Sequence, residues 1–310
     1  MPSIFQQDKF YSFLAATETL TPFRYSICRD GKEVASLQGY IQRDGKGLKR
    51  FLSRRAIVNG GPWFAEDITP EEVCALLKKC KEDLKKKVIY METRNFSDYA
   101  PFRSMFEKEG FHYEPHYDFI LDTDSIEKVE AQVHKSRRRD VNISERNGAC
   151  IVDCPEENEV IAFYSVLEEL YKKKVKTPLF PLQFFLSLFK EDFCQFILVK
   201  YQQEIIGGTV LVYDKETVFE WFACGKDGVF KQVFPSTMAT YYGIHYAAEN
   251  GFKHFDMMGA GAPGDGGYGV REFKARFGGE LVEYGRFKYV CNNILYGLGA
   301  FGVKLMKRLK

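Results

Sequence analysis

The chain has 310 residues, 44 Lys and Arg against 42 Asp and Glu, 45% hydrophobic residues and 28 Phe. That much apolar side chain excludes intrinsic disorder, and the apolar runs are short and interrupted, well below the roughly 20 residues of a membrane-spanning helix. A formal net charge of +2 gives no global pull toward nucleic acid, so any phosphate recognition has to come from local clusters. The length exceeds the roughly 250–300 residues at which one core usually stops growing, and two domains are the first expectation. The first residues, Met1-Pro2-Ser3-Ile4-Phe5, carry no basic segment ahead of an apolar one, and the 8 Cys show no zinc-site spacing. Both features point to a cytoplasmic protein with reduced thiols.

In chain order, Phe23 to Cys28 and Val34 to Gln42 alternate like strands around the turn Asp30-Gly31-Lys32, and Arg50 to Ile57 reads as a further strand leading to Asn59-Gly60-Gly61-Pro62. Thr69-Pro70-Glu71-Glu72 starts a helix that places Val73, Leu76, Leu77 and Leu84 at helical spacing. Val88 to Met91 is a strand, Tyr99 to Lys108 a helix stopped by Gly110, and Tyr117 to Leu121 the last strand of the first half. Ser125 caps a helix that begins at Ile126 and runs into His134-Lys135-Ser136-Arg137-Arg138-Arg139. A helix over Asn158 to Tyr171 precedes three strands, Gln195 to Tyr201, Ile205 to Tyr213 and Thr217 to Gly225. A helix from Ser236 to Glu249, ended by Asn250-Gly251, leads to the strand Phe255 to Met258. The expected fold is α/β with mixed sheets, built as two tandem acyltransferase-like modules. The first covers residues 1–124 and the second 125–286.

The richest stretch for chemistry runs from Phe255 to Gly279. Gly259, Gly261 and Gly264 match GxGxxG, but Pro263 and further glycines intervene before any helix, which argues against a dinucleotide fingerprint. A ligand-approaching loop bordered by a strand and a cationic helix carrying Lys274 and Arg276 is preferred over a bare connection. The loop Lys226 to Pro235 feeds a helix N-terminus, where acyl-CoA N-acetyltransferases seat a diphosphate, yet it lacks their glycine-rich run. Of the cluster Lys135, Arg137, Arg138 and Arg139, one or two side chains at most can face a ligand, and a solvated face is the alternative. No HExxH or GxSxG occurs, and Asp122-Thr123-Asp124 reads as a turn.

The combination of Asn59-Gly60-Gly61-Pro62, Glu92-Thr93-Arg94-Asn95, the basic helix ending Arg137-Arg138-Arg139, Phe255-Asp256-Met257-Met258-Gly259 and Phe273-Lys274-Ala275-Arg276-Phe277-Gly278-Gly279 resembles the FemABX family of peptidoglycan-bridge aminoacyltransferases. The resemblance implies two GNAT-like domains, with 287–310 folding back onto the first. It implies transfer of an amino acid from aminoacyl-tRNA to an amine of a UDP- or lipid-linked peptidoglycan precursor, with no cofactor. It makes Lys274, with Phe273 beside it, the catalytic pair. Lys176 becomes a cation for precursor phosphates, with a solvated helix end as the alternative. From the residues themselves, Arg138, Arg276, Gly259 and Gly261 are further candidates for substrate binding, and the strand-end residues Glu92 and Arg94 for the acceptor; a mutual ion pair is the alternative for Glu92 and Arg94. The Gln-Ser then Trp-Gly signature of the family is absent, as is a long heptad-patterned helical arm. An acyl-CoA-dependent N-acyltransferase acting on a sugar or polysaccharide amine and a non-catalytic precursor-binding protein stay as alternatives. The basic amphipathic segment Leu295 to Lys310 is expected to pack on the first domain, with contact to an anionic inner membrane face as a secondary option.

Overall fold

A computed structural model describes residues 2–175, 178–265 and 269–308, with side chains up to 302. The chain separates into two compact units, Met1–His116 with Glu283–Lys310, and Tyr117–Val282.

In the first unit, a short 3-10 turn leads into α1 (Asp8–Ala16), followed by β1 (Thr21–Arg29), β2 (Lys32–Gln42), α2 (Gly47–Leu52), β3 (Arg55–Gly60), β4 (Trp63–Phe64), α3 (Pro70–Leu84), β5 (Tyr90–Asn95), α4 (Arg103–Lys108) and β6 (His112–Glu114). Helix α3 starts where its sequence says it should. The Thr69 side chain accepts from the Glu72 amide while the Glu72 carboxylate accepts from Thr69 N–H, a reciprocal cap with Pro70 in the first turn. Its stripe of Val73, Leu76, Leu77, Cys80 and Leu84 is buried on one sheet face together with Leu37, Val58, Met91 and Phe287. The expected strand over Arg50 to Ile57 is shorter: Arg50 to Leu52 belong to α2, which presents Leu48 and Phe51 to solvent instead of a buried strand face.

The second unit contains β7 (Tyr117–Asp122), α5 (Ile126–Gln132), α6 (Lys135–Arg146), β8 (Cys150–Ile151), α7 (Glu157–Leu170), α8 (Leu182–Leu188), β9 (Cys194–Tyr201), β10 (Glu204–Tyr213), β11 (Thr217–Gly225), α9 (Pro235–Glu249), β12 (His254–Gly259), α10 (Gly269–Ala275) and β13 (Glu280–Glu283). After it come β14 (Arg286–Val290) and α11 (Asn293–Arg308). The helix expected to run from Ile126 through the basic stretch is two helices. Val133 and His134 are extended, and the His134 ring accepts from the Ser136 amide to cap α6.

Both units follow one plan. In the first sheet, ordered β1-β2-β3-β5-β14-β6 with β4 on β2, antiparallel strands lead to a parallel β3–β5 pair joined through α3. In the second, ordered β13-β7-β12-β11-β10-β9-β8, the parallel pair is β11–β12, joined through α9. This is the expected mixed α/β architecture. The boundary at 124 is corrected: β7 pairs with β12, so Tyr117 to Asp122 belong to the second sheet. Its alternation Tyr117-Asp118-Phe119-Ile120-Leu121 suits either sheet and says nothing about the partner strand. The return to the first unit starts at Glu283, ahead of residue 287, and β14 lies between β5 and β6.

Candidate functional site

In the second unit the chemistry gathers at the end of β12. Pairing between β11 and β12 runs from Thr217–His254 to Phe219–Asp256 and ends there. Beyond it β12 is irregular, with Met258 held at φ +58°, a left-handed conformation uncommon for a residue with a side chain. The Asp256 carboxylate stabilises this bend by accepting from the Met258 amide at 2.6 Å.

Lys274, from α10, fills the space that the diverging strand leaves. Its Nζ donates to the carbonyls of Met257, Met258 (3.2 Å) and Gly259 (3.1 Å). An ammonium has three donors, and here all three are engaged by one strand end. Three carboxylates surround the charge: Asp118 on β7, Glu220 on β11 and Asp256 on β12, all buried. Burial lowers the Lys274 pKa and these acids pull it back up. Burial raises Asp256 to about 7, helped by Glu220 and opposed by the Met258 amide and Lys274. Burial likewise raises Glu220, against Lys274 and a 2.7 Å hydrogen bond donated by Thr240. Three carboxylates around one half-buried cation are an unfavourable surplus of negative charge, which favours the protonated forms of Asp256 and Glu220. The Oδ2 of Asp256 has no hydrogen-bond partner.

Phe273 and Phe277 carry the other side of this helix. Arg137, on α6, lies over both rings, 4.3 Å and 5.2 Å from their centroids, and donates to the Phe273 carbonyl (3.2 Å) and to Thr237 on α9 (3.1 Å). The buried cation of the basic cluster is therefore Arg137, whereas the expected Arg138 is half-buried and 3.6 Å from Glu130. Arg276 is exposed. Gly278 explains the glycine pair after Phe277: its φ is +91°, and a Cβ there would lie 2.7 Å from the Gln132 carbonyl. Gly259 and Gly261 contribute backbone carbonyls, the first to Lys274 and the second to the Tyr117 amide. Arg271 organises the glycine loop by donating to the carbonyls of Ala260 and Ala262 and to Asp265. Lys176 lies outside the described residues.

The N-terminus of α9, where acyl-CoA N-acetyltransferases seat a diphosphate and whose loop lacks their glycine-rich run, carries a carboxylate of the chain itself. Asp227 accepts from the Ser236 amide at 3.2 Å and from its hydroxyl. That negative group takes the place at the positive helix end where an anion would otherwise sit.

In the first unit Glu92 and Arg94 lie on β5, on the sheet face opposite α3. Arg94 Nε is 2.8 Å from Glu92, so the expected ion pair is present. The register places Lys288 opposite Glu92 and Arg286 opposite Arg94, and each brings a cation 3.7 Å from the Glu92 carboxylate. Lys288 also pairs with Glu114 at 2.6 Å. Burial alone would raise the Glu92 pKa, but Arg94, Arg286 and Lys288 outweigh it and hold the carboxyl at about 2. The cluster is a buried anion beneath partly exposed cations, able to meet an anionic group from solvent. Glu92→Gln is expected to cost about 2 kcal/mol at neutral pH by removing the carboxylate that Arg94, Arg286 and Lys288 share, with Glu114 left to answer Lys288 alone. The depressed pKa makes this contribution complete above pH 4.5 and lost as pH falls through about 2, so urea unfolding across that window should show a shallower acid limb in the variant.

Glu220, Arg286 and Lys288 were not singled out by pattern, while Arg137 was named only as one of a cluster and Asp256 and Arg271 only within the stretch Phe255 to Gly279. For the acids a signal exists: each interrupts an apolar strand run, as in Val218-Phe219-Glu220-Trp221-Phe222. The cations of β14 have none, because their strand partner is set by tertiary structure.

Residues 186–302, which include Lys274, match the model of the FemAB family. No curated protein matches the chain by sequence. Among solved structures the fold is similar to FemX, with a TM-score of 0.70 at 15% identity over 95% of this chain and 94% of that one. It is also similar to L-PGS from Bacillus licheniformis (TM-score 0.59, 16% identity, 95% and 91% covered) and to a tandem GNAT protein from the clavulanic acid biosynthesis pathway (0.52, 9%, 89% and 85%). The family match is confined to residues 186–302, and these solved structures, each under 25% identical, share the fold over both units.

Proposed function

We propose that the protein is an aminoacyltransferase that forms an amide bond, moving an amino acid from aminoacyl-tRNA to an amine of a peptidoglycan precursor. The FemAB match and the fold shared with FemX support the reaction class. The observation that carries the choice of donor is the Asp227 carboxylate at the N-terminus of α9, which disfavours the acyl-CoA alternative.

The chemistry needs little from the protein. An aminoacyl ester is already activated; the neutral amine attacks its carbonyl, the C–N bond forms, and the ester C–O bond breaks. The ribose hydroxyl leaves with the proton lost by the amine. Alignment of the two substrates and stabilisation of the oxyanion are the remaining tasks. Lys274 serves by fixing the end of β12 and keeping a positive charge there; exchanging one of its three carbonyls for the oxyanion makes it a direct donor. Arg137 and Phe273 hold α10 in place. The cations around Glu92 supply an anion-binding surface suited to a phosphate-bearing precursor.

The test is transfer of a labelled amino acid from charged tRNA to soluble and lipid-linked wall precursors, with acyl-CoA as the competing donor. The expected result is an amide product from charged tRNA alone. Product from acyl-CoA, or precursor binding without turnover on any donor, overturns the reading.

A further inference from the structure

Two helices of the first unit leave apolar side chains in water. On α11, Ile294 (77% exposed), Leu298 (55%) and Phe301 (66%) recur at helical spacing and form one stripe. On α2, Leu48 (72%) and Phe51 (45%) do the same across one turn. The two helices pack together, with Gly299 of α11 close to the Leu52 carbonyl of α2, so the apolar residues belong to one surface region.

The charge of this region is one-sided. Residues 43–55 and 293–302 together hold six Lys and Arg and a single acid, Asp44, in a chain whose totals are nearly balanced. Asp44 is already taken by Arg55. Lys46, Lys49 and Arg50 are exposed on or beside α2, and Arg54 lies 4.1 Å from the Phe51 ring centroid. Exposed Leu, Ile and Phe among cations, on helices of this kind, match the requirements of a headgroup region: an apolar boundary to enter and anionic phosphates to meet. Among the described residues no helix is long and apolar enough to cross a membrane, so contact with a bilayer would be at its surface.

We propose that α2 and α11 form a docking surface for an anionic lipid bilayer, with Leu48, Phe51, Ile294, Leu298 and Phe301 entering the headgroup boundary and Lys46, Lys49 and Arg50 contacting lipid phosphates. The surface stands apart from the choice of amino acid donor and acceptor. A nucleic acid would use the cations and leave the apolar stripe exposed; a second copy of the chain would bring like charges together.

Co-sedimentation of the full chain with sucrose-loaded vesicles tests this, using phosphatidylcholine alone and an equimolar mixture with phosphatidylglycerol. Binding to the mixed vesicles, weakened by salt and absent from the neutral ones, is the expected result. Leu298→Ser with Phe301→Ser, and separately Lys49→Glu with Arg50→Glu, should each weaken binding about tenfold or more. All four positions are exposed, and circular dichroism checks that the fold is kept. As a second readout, Phe301→Trp fluorescence should be quenched by brominated acyl chains. The proposal is overturned by no binding to mixed vesicles, or by binding that neither pair of substitutions changes. It is equally overturned if the wild type fails to bind vesicles and instead forms a dimer broken by the serine pair, or binds tRNA in a manner abolished by the glutamate pair. Transfer to a soluble acceptor without lipid should be unaffected by these variants, which separates failure here from failure of the proposed reaction.

Discussion

Lys274→Met is expected to lower the transfer rate by about 10²–10³-fold and to destabilise the second unit by about 3–5 kcal/mol. The two effects have one origin. Removing the ammonium strips three carbonyls of their donor and leaves Asp118, Glu220 and Asp256 without the cation among them. Urea unfolding reads the stability loss, and single-turnover transfer from charged tRNA reads the rate. A variant as stable as the wild type would remove the strand-fixing role, and an unchanged rate would remove the role in transfer. Lys274→Arg keeps the charge and several donors, so it should recover more stability than rate if the placement of a single N–H matters. A double variant with Asp256→Asn should lose less stability than the sum of its parts, because the second change removes an acid that the first left uncompensated.

Asp256 gives the second large effect, and its sign is opposite to that of Glu92. The carboxyl has a pKa of about 7 in the folded protein against an ordinary 3.8, so the folded state holds a proton that the unfolded state releases. Stability from this group is complete below pH 3.8 and lost as pH rises to about 7, a change on the order of 4 kcal/mol. Asp256→Asn keeps an oxygen for the Met258 amide and cannot ionise. Its stability should therefore lack that decline and exceed the wild type at neutral pH, as measured by denaturant midpoints across the window. A wild-type profile that rises over the same interval, with no difference in the variant, would contradict the burial argument.

Much of the fold was legible because its signals are local. The Thr69 cap, the apolar stripe of α3, the Ser125 cap and the alternation of β9 to β11 depend on neighbouring residues, and each element forms within a few residues of where its pattern begins. What pattern could not supply was partnership. The alternating residues of β7 fit two sheets equally well, and only pairing with β12 decides between them. The site divides in the same way. Lys274 stands out through its motif, whereas its importance to the strand end depends on carbonyls released by a break in pairing that no sequence pattern marks. Arg137 and Arg138 are adjacent and chemically alike; the turn of α6 alone makes one buried and the other half-buried. The mid-strand acids were the missed clue, since a carboxylate amid apolar strand residues either faces solvent or has a buried cation to answer it.

The position of β14 governs the order in which the chain can acquire structure during synthesis. Lys288 and Glu114 meet across 174 residues of sequence, so β5 and β6 have no strand between them until the ribosome has finished the whole second unit. That unit is one continuous segment and has every strand of its sheet except the last by the time β12 emerges. Closing the first sheet then costs the entropy of a long loop, reduced because the intervening chain is already compact. A nascent chain stopped before Arg286 exposes two facing strand edges suited to pairing with other chains. The unit whose synthesis begins first is therefore the last to be completed, and the earlier segment depends on prompt delivery of the later strand to stay soluble.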